Sequence, residues 1–418
     1  MSTALVEKFP ILGHVPEAHQ LGQQIDQRSY LIAGELRQWD GPVKVVLSPI
    51  CLRSNAADTT PKQVVLGSYP IMGETESDEI LEAAVEAFDQ GRGEWPTMRV
   101  DARIECMRDF VKRMKSKRTL VCKLIMWEIG KSAADSAKEF DRTIQYIEDT
   151  IQALKDLDNT ASSFKVVDST IGQVRRTPLG VVLCMGPYNY PLNETFCTLI
   201  PALLMGNTVV LKPPQYGTLL FEPLLDAFQK AFPKGVVNTI YAPGEVVVPR
   251  MLASGQVAVL ALIGSSKVAD SLKKQHPKSH RLRAVLGLDA KNAAIVLPDA
   301  DLDNAVKECV QGALSFNGQR CTALKMLLVH SSVVDTFLAK LAHAVSQLKM
   351  GMPWEDGVFI TPLPGPHRTA YMADAIAQAQ DQGACVINAH GGEHSQTLYT
   401  PAIVYPVQAG MKLYREEQ

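Results

Sequence analysis

The segment 316–325, FNGQRCTALK, places a cysteine in a polar, glycine-containing interruption between a helical pattern and an apolar run. A cysteine in such a loop is a nucleophile when its thiol ionises readily, and the neighbouring Arg320 would favour the thiolate of Cys321. The same loop could hold one of eight ordinary thiols. Residue type and position therefore make Cys321 a candidate nucleophile and leave both interpretations open.

Five further polar loops contain residues suited to binding or catalysis. They are PYNYPL (187–192), KPPQYG (212–217), APGE (242–245), GSS (264–266) and GLDAKN (287–292). Neither the GxGxxG fingerprint nor the GxxxxGK[ST] phosphate loop occurs in them. Taken one by one, Asn189 reads as a turn residue, Lys212 as a solvated side chain and Gly264–Ser265 as a helix cap. These loops indicate a site only if the fold brings them together.

From Gly180 onward, short β-branched runs alternate with helical patterns. The predicted strands are 180–186, 208–212, 236–242 and 257–264, and the predicted helices are 193–207, 219–232 and two short ones after Gly244 and Ser265. This alternation is typical of a parallel sheet wrapped by helices, so we predict a doubly wound α/β domain. Ligands bind such sheets at the carboxyl ends of the strands, where the polar loops fall.

The pattern divides the chain into four parts. Residues 1–161 are predicted as the N-terminal, mainly helical part of a cofactor domain, and residues 162–179 as a projecting strand pair. Residues 180–288 form the predicted cofactor-binding sheet. A second α/β unit follows at 289–418, with a strand, a helix and another strand at its start.

Composition and charge exclude several classes of protein. With 418 residues, 46% hydrophobic and 21% charged, the chain can bury a large core over two or more domains. A net charge of -2 gives no global field for nucleic acid or an anionic membrane, and the basic run 112–118 reads as a solvated helix face. The N-terminus lacks signal-peptide features, and the apolar runs are shorter than the ~20 residues of a membrane span. We expect a soluble, cytoplasmic protein with reduced cysteines.

Metal ligation is poorly supported. The nine histidines form no HxxxH pair on a helix. Asp299, Asp301 and Asp303 mimic the start of a calcium loop, but the glycine and the glutamate that such a loop needs further on are missing. We therefore predict no metal site.

Taken together, the loops resemble the aldehyde dehydrogenase superfamily. PYNYPL, LKPPQ, LIGSSKVA, AKNAAIVLPDADLD and FNGQRCTALK occur in the family's order, from about residue 60 to the last residue. Within it, YNYPLN, KPP and GQRCTA are most similar to the non-phosphorylating, NADP-dependent glyceraldehyde-3-phosphate dehydrogenases. The resemblance implies a doubly wound cofactor domain, an α/β catalytic domain and a β-strand oligomerisation arm.

The resemblance also implies a chemistry. Cys321 matches the nucleophile that attacks an aldehyde carbonyl, and the tetrahedral adduct gives a hydride to the nicotinamide and leaves a thioester. The side-chain amide of Asn189 and the backbone N–H of Cys321 match the donors that hold the oxyanion.

Cofactor contacts follow from the same resemblance. The matching residues are Lys212, Gln215, Gly244, Gly264, Ser265 and Glu417. NAD-preferring relatives have a glutamate at position 215, which would repel a 2'-phosphate, so the neutral Gln215 implies NADP, with NAD possible as a second cofactor.

Three residues match the subfamily's phosphate contacts, namely Arg142, Tyr190 and Arg320. Each alone reads as an ordinary surface or half-buried residue. Their joint occurrence implies a small phosphorylated aldehyde, glyceraldehyde 3-phosphate, as the substrate, because a bound phosphate needs cations and donors.

The chain departs from the family at two places. Gly287 stands where the family has the glutamate that activates the hydrolytic water, so hydrolysis needs another base, for which we consider Asp289, or a different acceptor such as coenzyme A. The family also continues beyond Gln418 into the rest of the catalytic domain and a strand that completes the oligomerisation arm. We expect a homo-oligomer if that strand is present. The alternatives for the function are a coenzyme A-acylating or broad-specificity aldehyde dehydrogenase and an inactive, truncated family member.

Overall fold

Runs of period two and period 3.6 divide the chain into short strands and longer helices. The computed structural model describes residues 3–418. The strands are β1 (Ile25–Asp26), β2 (Ser29–Ile32), β3 (Glu35–Gln38), β4 (Val43–Leu52), β5 (Lys62–Pro70), β6 (Lys165–Val167), β7 (Thr170–Gly172), β8 (Val181–Met185), β9 (Thr208–Lys212), β10 (Val237–Thr239), β11 (Val257–Gly264), β12 (Arg283–Leu288), β13 (Asn292–Val296), β14 (Leu324–Val329), β15 (Cys385–Val386), β16 (His394–Ser395), β17 (Leu398–Tyr399) and β18 (Val404–Tyr405).

The helices are α1 (Thr3–Val6), α2 (Glu74–Phe88), α3 (Glu94–Thr97), α4 (Val100–Lys115), α5 (Arg118–Ile129), α6 (Ala133–Ala161), α7 (Asn193–Leu204), α8 (Leu225–Ala231), α9 (Gly244–Ala253), α10 (Ser266–Lys273), α11 (Leu302–Leu314), α12 (Val334–Ser346), α13 (Pro366–Asp381) and α14 (Lys412–Arg415). Short 3-10 turns occur at Glu17–His19, Asp89–Gly91, Leu219–Leu224 and Ser315–Gly318. The helix predicted over 219–232 is thus a 3-10 turn followed by α8, and Pro223 lies inside that turn.

A five-stranded parallel sheet forms the centre of the molecule. Its spatial order is β10, β9, β8, β11, β12, and every neighbouring pair is parallel. The chain first adds β9 and β10 on one side of β8, and then returns to add β11 and β12 on the other side. This confirms the doubly wound sheet, with its switch point between β8 and β11.

An aromatic cluster packs α4, α7 and α8 against this sheet. The rings of Phe110 and Phe228 stack with centroids 4.5 Å apart, and Phe196 lies within 6.2 Å of both. All three side chains are fully buried. Truncating one of them to alanine would cost roughly 3–5 kcal/mol of stability, so this cluster fixes the helix that carries the catalytic loop.

The N-terminal part contains strands that the sequence did not predict. β1, β5 and β4 form a three-stranded sheet, and the hairpin β2–β3 packs beside β10. The backbone N–H of Leu31 donates to the hydroxyl of Thr239 at 2.8 Å. The description of residues 1–161 as mainly helical is therefore wrong for 25–70, although α2 to α6 bear it out for 74–161.

Two further units flank the sheet. The predicted strand pair at 162–179 contains the hairpin β6–β7, which exposes Phe164, Val166 and Ile171. β13 and β14 pair in parallel and pack with α11 and α12 around a separate apolar cluster. Among residues 3–418, no helix is long and apolar enough to cross a membrane.

Candidate active site

The switch point of the sheet brings two of the predicted loops to one edge. β8 and β11 are neighbours, so the loop after β8 (186–192) and the turn after β11 (264–266) open side by side. Ligands of doubly wound sheets bind in this crevice. The fold thus brings these two polar loops together at one edge of the sheet.

The nucleophile loop docks against the loop after β8. The side-chain amide of Asn189 donates to the carbonyl of Gln319 at 2.8 Å. The rings of Tyr190 and Phe316 meet edge to face with centroids 5.9 Å apart. Asn189 and Cys321, predicted as oxyanion donor and nucleophile, therefore lie on loops in direct contact.

Strained backbone shapes the approach to Cys321. Phe316, Asn317 and Gly318 have φ of 49°, 55° and 70°, in the left-handed region. A non-glycine residue there costs of order 1–3 kcal/mol. The side chain of Asn317 offsets this cost because it donates to the carbonyl of Thr361 at 3.0 Å and accepts from the N–H of Thr361 at 2.9 Å.

Cys321 is half-buried and held as a thiol at neutral pH. Burial raises the pKa of Cys321 above its ordinary value of 9.0, and the charges of Glu194 and Glu417 raise it further. The carbonyl of Cys321 accepts from the side-chain amide of Asn292 at 2.6 Å, which fixes the backbone of the loop.

The prediction that Arg320 favours the thiolate of Cys321 is wrong. The guanidinium turns away and donates to the carbonyls of Gly312 at 2.9 Å and Gln311 at 3.3 Å. Both carbonyls belong to the last turn of α11, where intrahelical partners are missing and cations are favoured. Adjacency in sequence therefore does not give Arg320 an effect on the thiol.

Charge effects link the three predicted phosphate contacts to the start of α7. Arg142 is exposed on α6. Burial raises the pKa of Glu194 above its ordinary value, and the charge of Arg142 acts to lower it. Burial raises the pKa of Tyr190 to about 12, while Arg320 acts to lower it. Tyr190 therefore stays a hydroxyl donor. The Nε of Arg320 is buried without a hydrogen-bond partner in the part of the chain that the structure describes.

Glu194 is a site residue that the sequence did not identify. It lies in the first turn of α7, where the helix dipole favours acids, so its sequence position reads as ordinary. The structure places it within electrostatic reach of both Cys321 and Cys197. The usable signal was its spacing, five residues after Asn189 on the same loop and helix.

On the cofactor side, Lys212 ends β9 as a half-buried, under-bonded cation. Among residues 3–418 its only hydrogen bond is a weak one of 3.4 Å to the carbonyl of Pro213, and burial lowers its pKa to about 8. Gly244 leaves space beside it, since a Cβ there would lie 3.5 Å from the Cε of Lys212. Gln215 is exposed on the following loop. A phosphate or ribose oxygen would fit this ammonium.

The turn after β11 carries a carboxylate where a cofactor phosphate was predicted. Gly264 ends the strand, and the hydroxyl of Ser265 caps α10 through the N–H of Val268 at 3.4 Å. Both the N–H and the hydroxyl of Ser266 donate to Asp289, at 2.5 and 2.9 Å. These bonds hold the pKa of Asp289 below its ordinary value, which makes it a weak base.

Glu417 lies near the nucleophile because lysines anchor the residues around it. Lys291 donates to the carbonyl of Glu416 at 2.9 Å, and Lys325 donates to the carbonyl of Gln418. Burial raises the pKa of Glu417. The charge of Glu417 in turn acts on the thiol of Cys321.

Glu128, also not identified from the sequence, supports the cofactor loop. Its carboxylate is fully buried and accepts from the N–H groups of Thr218 at 2.7 Å and Leu219 at 3.0 Å. Burial raises the pKa of Glu128 to about 7. Within residues 3–418, no group of three or more His, Cys, Asp or Glu side chains is arranged to hold a metal ion.

Comparison with known proteins shows the family of this chain. Residues 54–418 match the model of the aldehyde dehydrogenase family. The NADP-dependent glyceraldehyde-3-phosphate dehydrogenase of Streptococcus equinus is 32% identical over 84% of this chain and 73% of that protein. A malonate-semialdehyde dehydrogenase of Bacillus subtilis subsp. natto is 31% identical over 77% of this chain and 65% of its own length.

Solved structures give the same result. The NADP-dependent glyceraldehyde-3-phosphate dehydrogenase of Bacillus halodurans C-125, complexed with NADP, superposes with a TM-score of 0.81 at 27% identity. The superposition covers 93% of this chain and 79% of that chain. The family's sequence motifs, its doubly wound sheet and the facing loops of Asn189 and Cys321 coincide in one molecule, and this chain belongs to the aldehyde dehydrogenase family.

Proposed function

We propose that this protein oxidises glyceraldehyde 3-phosphate to 3-phosphoglycerate with NADP, through a thiohemiacetal and then a thioester on Cys321. The observation that carries the phosphorylated substrate is the buried Nε of Arg320, which has no partner among residues 3–418. An unsatisfied buried donor is costly, and a phosphate oxygen would satisfy it beside the hydroxyl of Tyr190. Arg142 would add a second cation from α6.

The residues have separate tasks in this reaction. The Sγ of Cys321 attacks the aldehyde carbon, and the amide of Asn189 and the N–H of Cys321 receive the charge on the former carbonyl oxygen. NADP held by these loops would supply the acceptor for the hydride that leaves that carbon. Because burial raises the pKa of Cys321, its proton must leave before attack. The charges of Glu194 and Glu417 raise the pKa of this thiol further.

NADP is supported by the electrostatics of the cofactor loop. Lys212 offers an under-bonded ammonium, and the neutral Gln215 would not repel a 2'-phosphate. Gly244, Gly264, Ser265 and Glu417 would line the rest of the cofactor. NAD would bind less tightly because it lacks the phosphate that Lys212 attracts.

Gly287 favours an acceptor other than water for the acyl group. This position has no side chain to activate water, and the carboxylate of Asp289 is occupied by Ser266. Transfer of the acyl group to coenzyme A, which itself carries the attacking thiol, needs no such base at residue 287. Our leading proposal keeps water as acceptor with Asp289 as its candidate base.

One assay tests the proposal. Wild type and Cys321→Ala are mixed with glyceraldehyde 3-phosphate and NADP, without phosphate or coenzyme A, and NADPH and 3-phosphoglycerate are measured. We expect both products from the wild type alone. If 3-phosphoglycerate does not form and acyl-CoA forms once coenzyme A is added, the acceptor is coenzyme A and not water. Activity in Cys321→Ala would overturn the mechanism.

We also infer that the protein is a homo-oligomer in the cytoplasm. The hairpin β6–β7 exposes apolar side chains at Phe164, Val166 and Ile171, which are 68–69% exposed. A second copy of the chain would cover them. Light scattering on the wild type and on Val166→Ser/Ile171→Ser would show a smaller particle for the variant.

A further inference from the structure

A buried ion pair lies beneath the catalytic loops. Lys131 precedes α6, Glu139 lies within it, and their side chains are 1% and 0% exposed. The Nζ of Lys131 and a carboxylate oxygen of Glu139 are 2.5 Å apart. Such a pair does not by itself stabilise a fold, because both charges lose their hydration. Its remaining hydrogen bonds therefore indicate what the pair does.

The ammonium of Lys131 contacts both catalytic loops. It donates to the carbonyl of Asn189 at 2.8 Å and lies 3.6 Å from the ring centroid of Tyr190. On its other side it lies 4.3 Å from the ring centroid of Phe316, in the strained backbone before Cys321. The carboxylate, the carbonyl and the aromatic faces thus surround the ammonium.

Glu139 uses its second oxygen to hold the end of the same loop. That oxygen accepts from the N–H groups of Leu192 and Asn193, both at 3.1 Å. These donors lie at the start of α7. The loop that carries Asn189 is therefore held at its carbonyl by Lys131 and at its end by Glu139.

We propose that Lys131, charge-compensated by Glu139, is a positioning residue that aligns the amide of Asn189 with the oxyanion formed at Cys321. Lys131 does not touch the reacting atoms and acts through Asn189. The inference rests on the proposed roles of Cys321 and Asn189, but it requires neither NADP nor a phosphorylated substrate.

Two modifications of the same thiol separate positioning from general support. Acylation by p-nitrophenyl acetate forms an S–C bond, passes through a tetrahedral oxyanion and expels p-nitrophenolate, while the thiol proton goes to water. Alkylation by iodoacetamide forms an S–C bond, displaces iodide and makes no oxyanion. A group that aligns the oxyanion donor affects the first rate and spares the second.

The variants are Lys131→Met, Asn189→Ala and the two combined. We expect Lys131→Met to slow acylation of Cys321 about 10- to 100-fold, somewhat less than the loss of an oxyanion donor itself, and alkylation by less than about threefold. In the Asn189→Ala background, Lys131→Met should slow acylation by less than about threefold, because the amide through which Lys131 acts is absent there.

Arg103→Met is the matched control. Arg103 is another buried cation, 7% exposed, and it donates to the carbonyl of Leu204 at the far end of α7. It should change neither rate by more than about threefold, as a purely structural substitution distant from the oxyanion would. If Lys131→Met does not fold, Lys131→Met/Glu139→Gln leaves no unpaired charge and is measured by the same criteria.

Several outcomes would overturn the proposal. They are unchanged acylation in Lys131→Met, equal slowing of acylation and alkylation, and an undiminished effect in the Asn189→Ala background. Equal acylation of a Cys321→Ala variant would overturn this proposal together with the role of Cys321. Normal acylation behaviour with no oxidation of glyceraldehyde 3-phosphate would overturn only the proposed substrate.

Discussion

The side-chain amide of Asn189 donates to the carbonyl of Gln319 at 2.8 Å, two residues before Cys321. The second N–H of that amide is left to meet an oxyanion, and its oxygen accepts from the N–H of Tyr190 at 3.1 Å. Asn189→Ala should therefore lower kcat about 10²- to 10³-fold with little change in alkylation of Cys321. Steady-state rates beside iodoacetamide labelling check this, and an unchanged kcat would remove Asn189 from the oxyanion site.

Restoring a carboxylate at Gly287 should change how the thioester is released. A Cβ there would lie 3.3 Å from the Cγ1 of Ile263, so Ile263 needs to move by only a few tenths of an ångström. Gly287→Glu should raise the steady rate that follows acylation by p-nitrophenyl acetate at least about 10²-fold, the lower end of the range for a general base. Gly287→Ala is the matched control, and an equal rise in it would refute the interpretation.

Removal of the charge at Glu194 should activate the thiol. Glu194 raises the pKa of Cys321, so Glu194→Gln lowers that pKa and increases the thiolate fraction at pH 8. We expect alkylation by iodoacetamide to become roughly two- to fivefold faster. Glu82→Gln, on the exposed face of α2, should leave the rate unchanged. A slower rate in Glu194→Gln would show that the carboxylate assists the thiol instead.

Cofactor preference should respond to a single exposed position. Gln215→Glu places a negative charge where a 2'-phosphate would approach Lys212, so kcat/KM for NADP should fall about tenfold or more relative to NAD. Gln215→Ala removes the amide without adding charge and should keep the preference of the wild type. Because Gln215 is exposed, neither change should alter unfolding free energy by more than about 0.5 kcal/mol. An unchanged ratio in Gln215→Glu would place the 2'-phosphate elsewhere.

Glu128 should give the fold a specific pH dependence. Its pKa rises from 4.5 to about 7 on folding because burial opposes the charge. The folded state therefore keeps a proton that the unfolded chain releases, and stability falls as pH rises from 4.5 through 7. In urea unfolding at pH 5 and pH 7.5, the wild type should lose roughly 1–3 kcal/mol more than Glu128→Gln. Equal losses in both proteins would contradict this shift.

Much of the fold followed from local pattern. The runs at β8, β9 and β11 are apolar and bounded by glycine, asparagine or serine, so period and turn chemistry both indicated buried strands. β4 was not predicted because Pro49 interrupts its run and its exposed residues, Lys44, Val45 and Leu47, do not alternate regularly with buried ones. Strand patterns that change along their length are weak signals without their partners.

The site was predictable in its loops but not in its side-chain directions. The loop that carries Asn189 follows β8 and Lys212 ends the neighbouring strand β9, where the carboxyl ends of parallel strands must meet, and the loop of Cys321 contacts the loop of Asn189. The direction of Arg320 could not be read, since helix-end carbonyls nine and eight residues earlier attract it. Lys131 and Glu139 were not identified from the sequence, because only the packing around the start of α6 buries both.

The turn between α5 and α6 has a consequence for engineering this protein. Glu128 holds the cofactor loop from one side of that turn, and Lys131 with Glu139 holds the catalytic loop from the other. Gln215 and Arg142, by contrast, are exposed and lie outside this buried support. We expect libraries that randomise the exposed pair to change selectivity while Glu128, Lys131 and Glu139 keep the reaction geometry, and substitutions of these three residues to slow the reaction with every substrate alike.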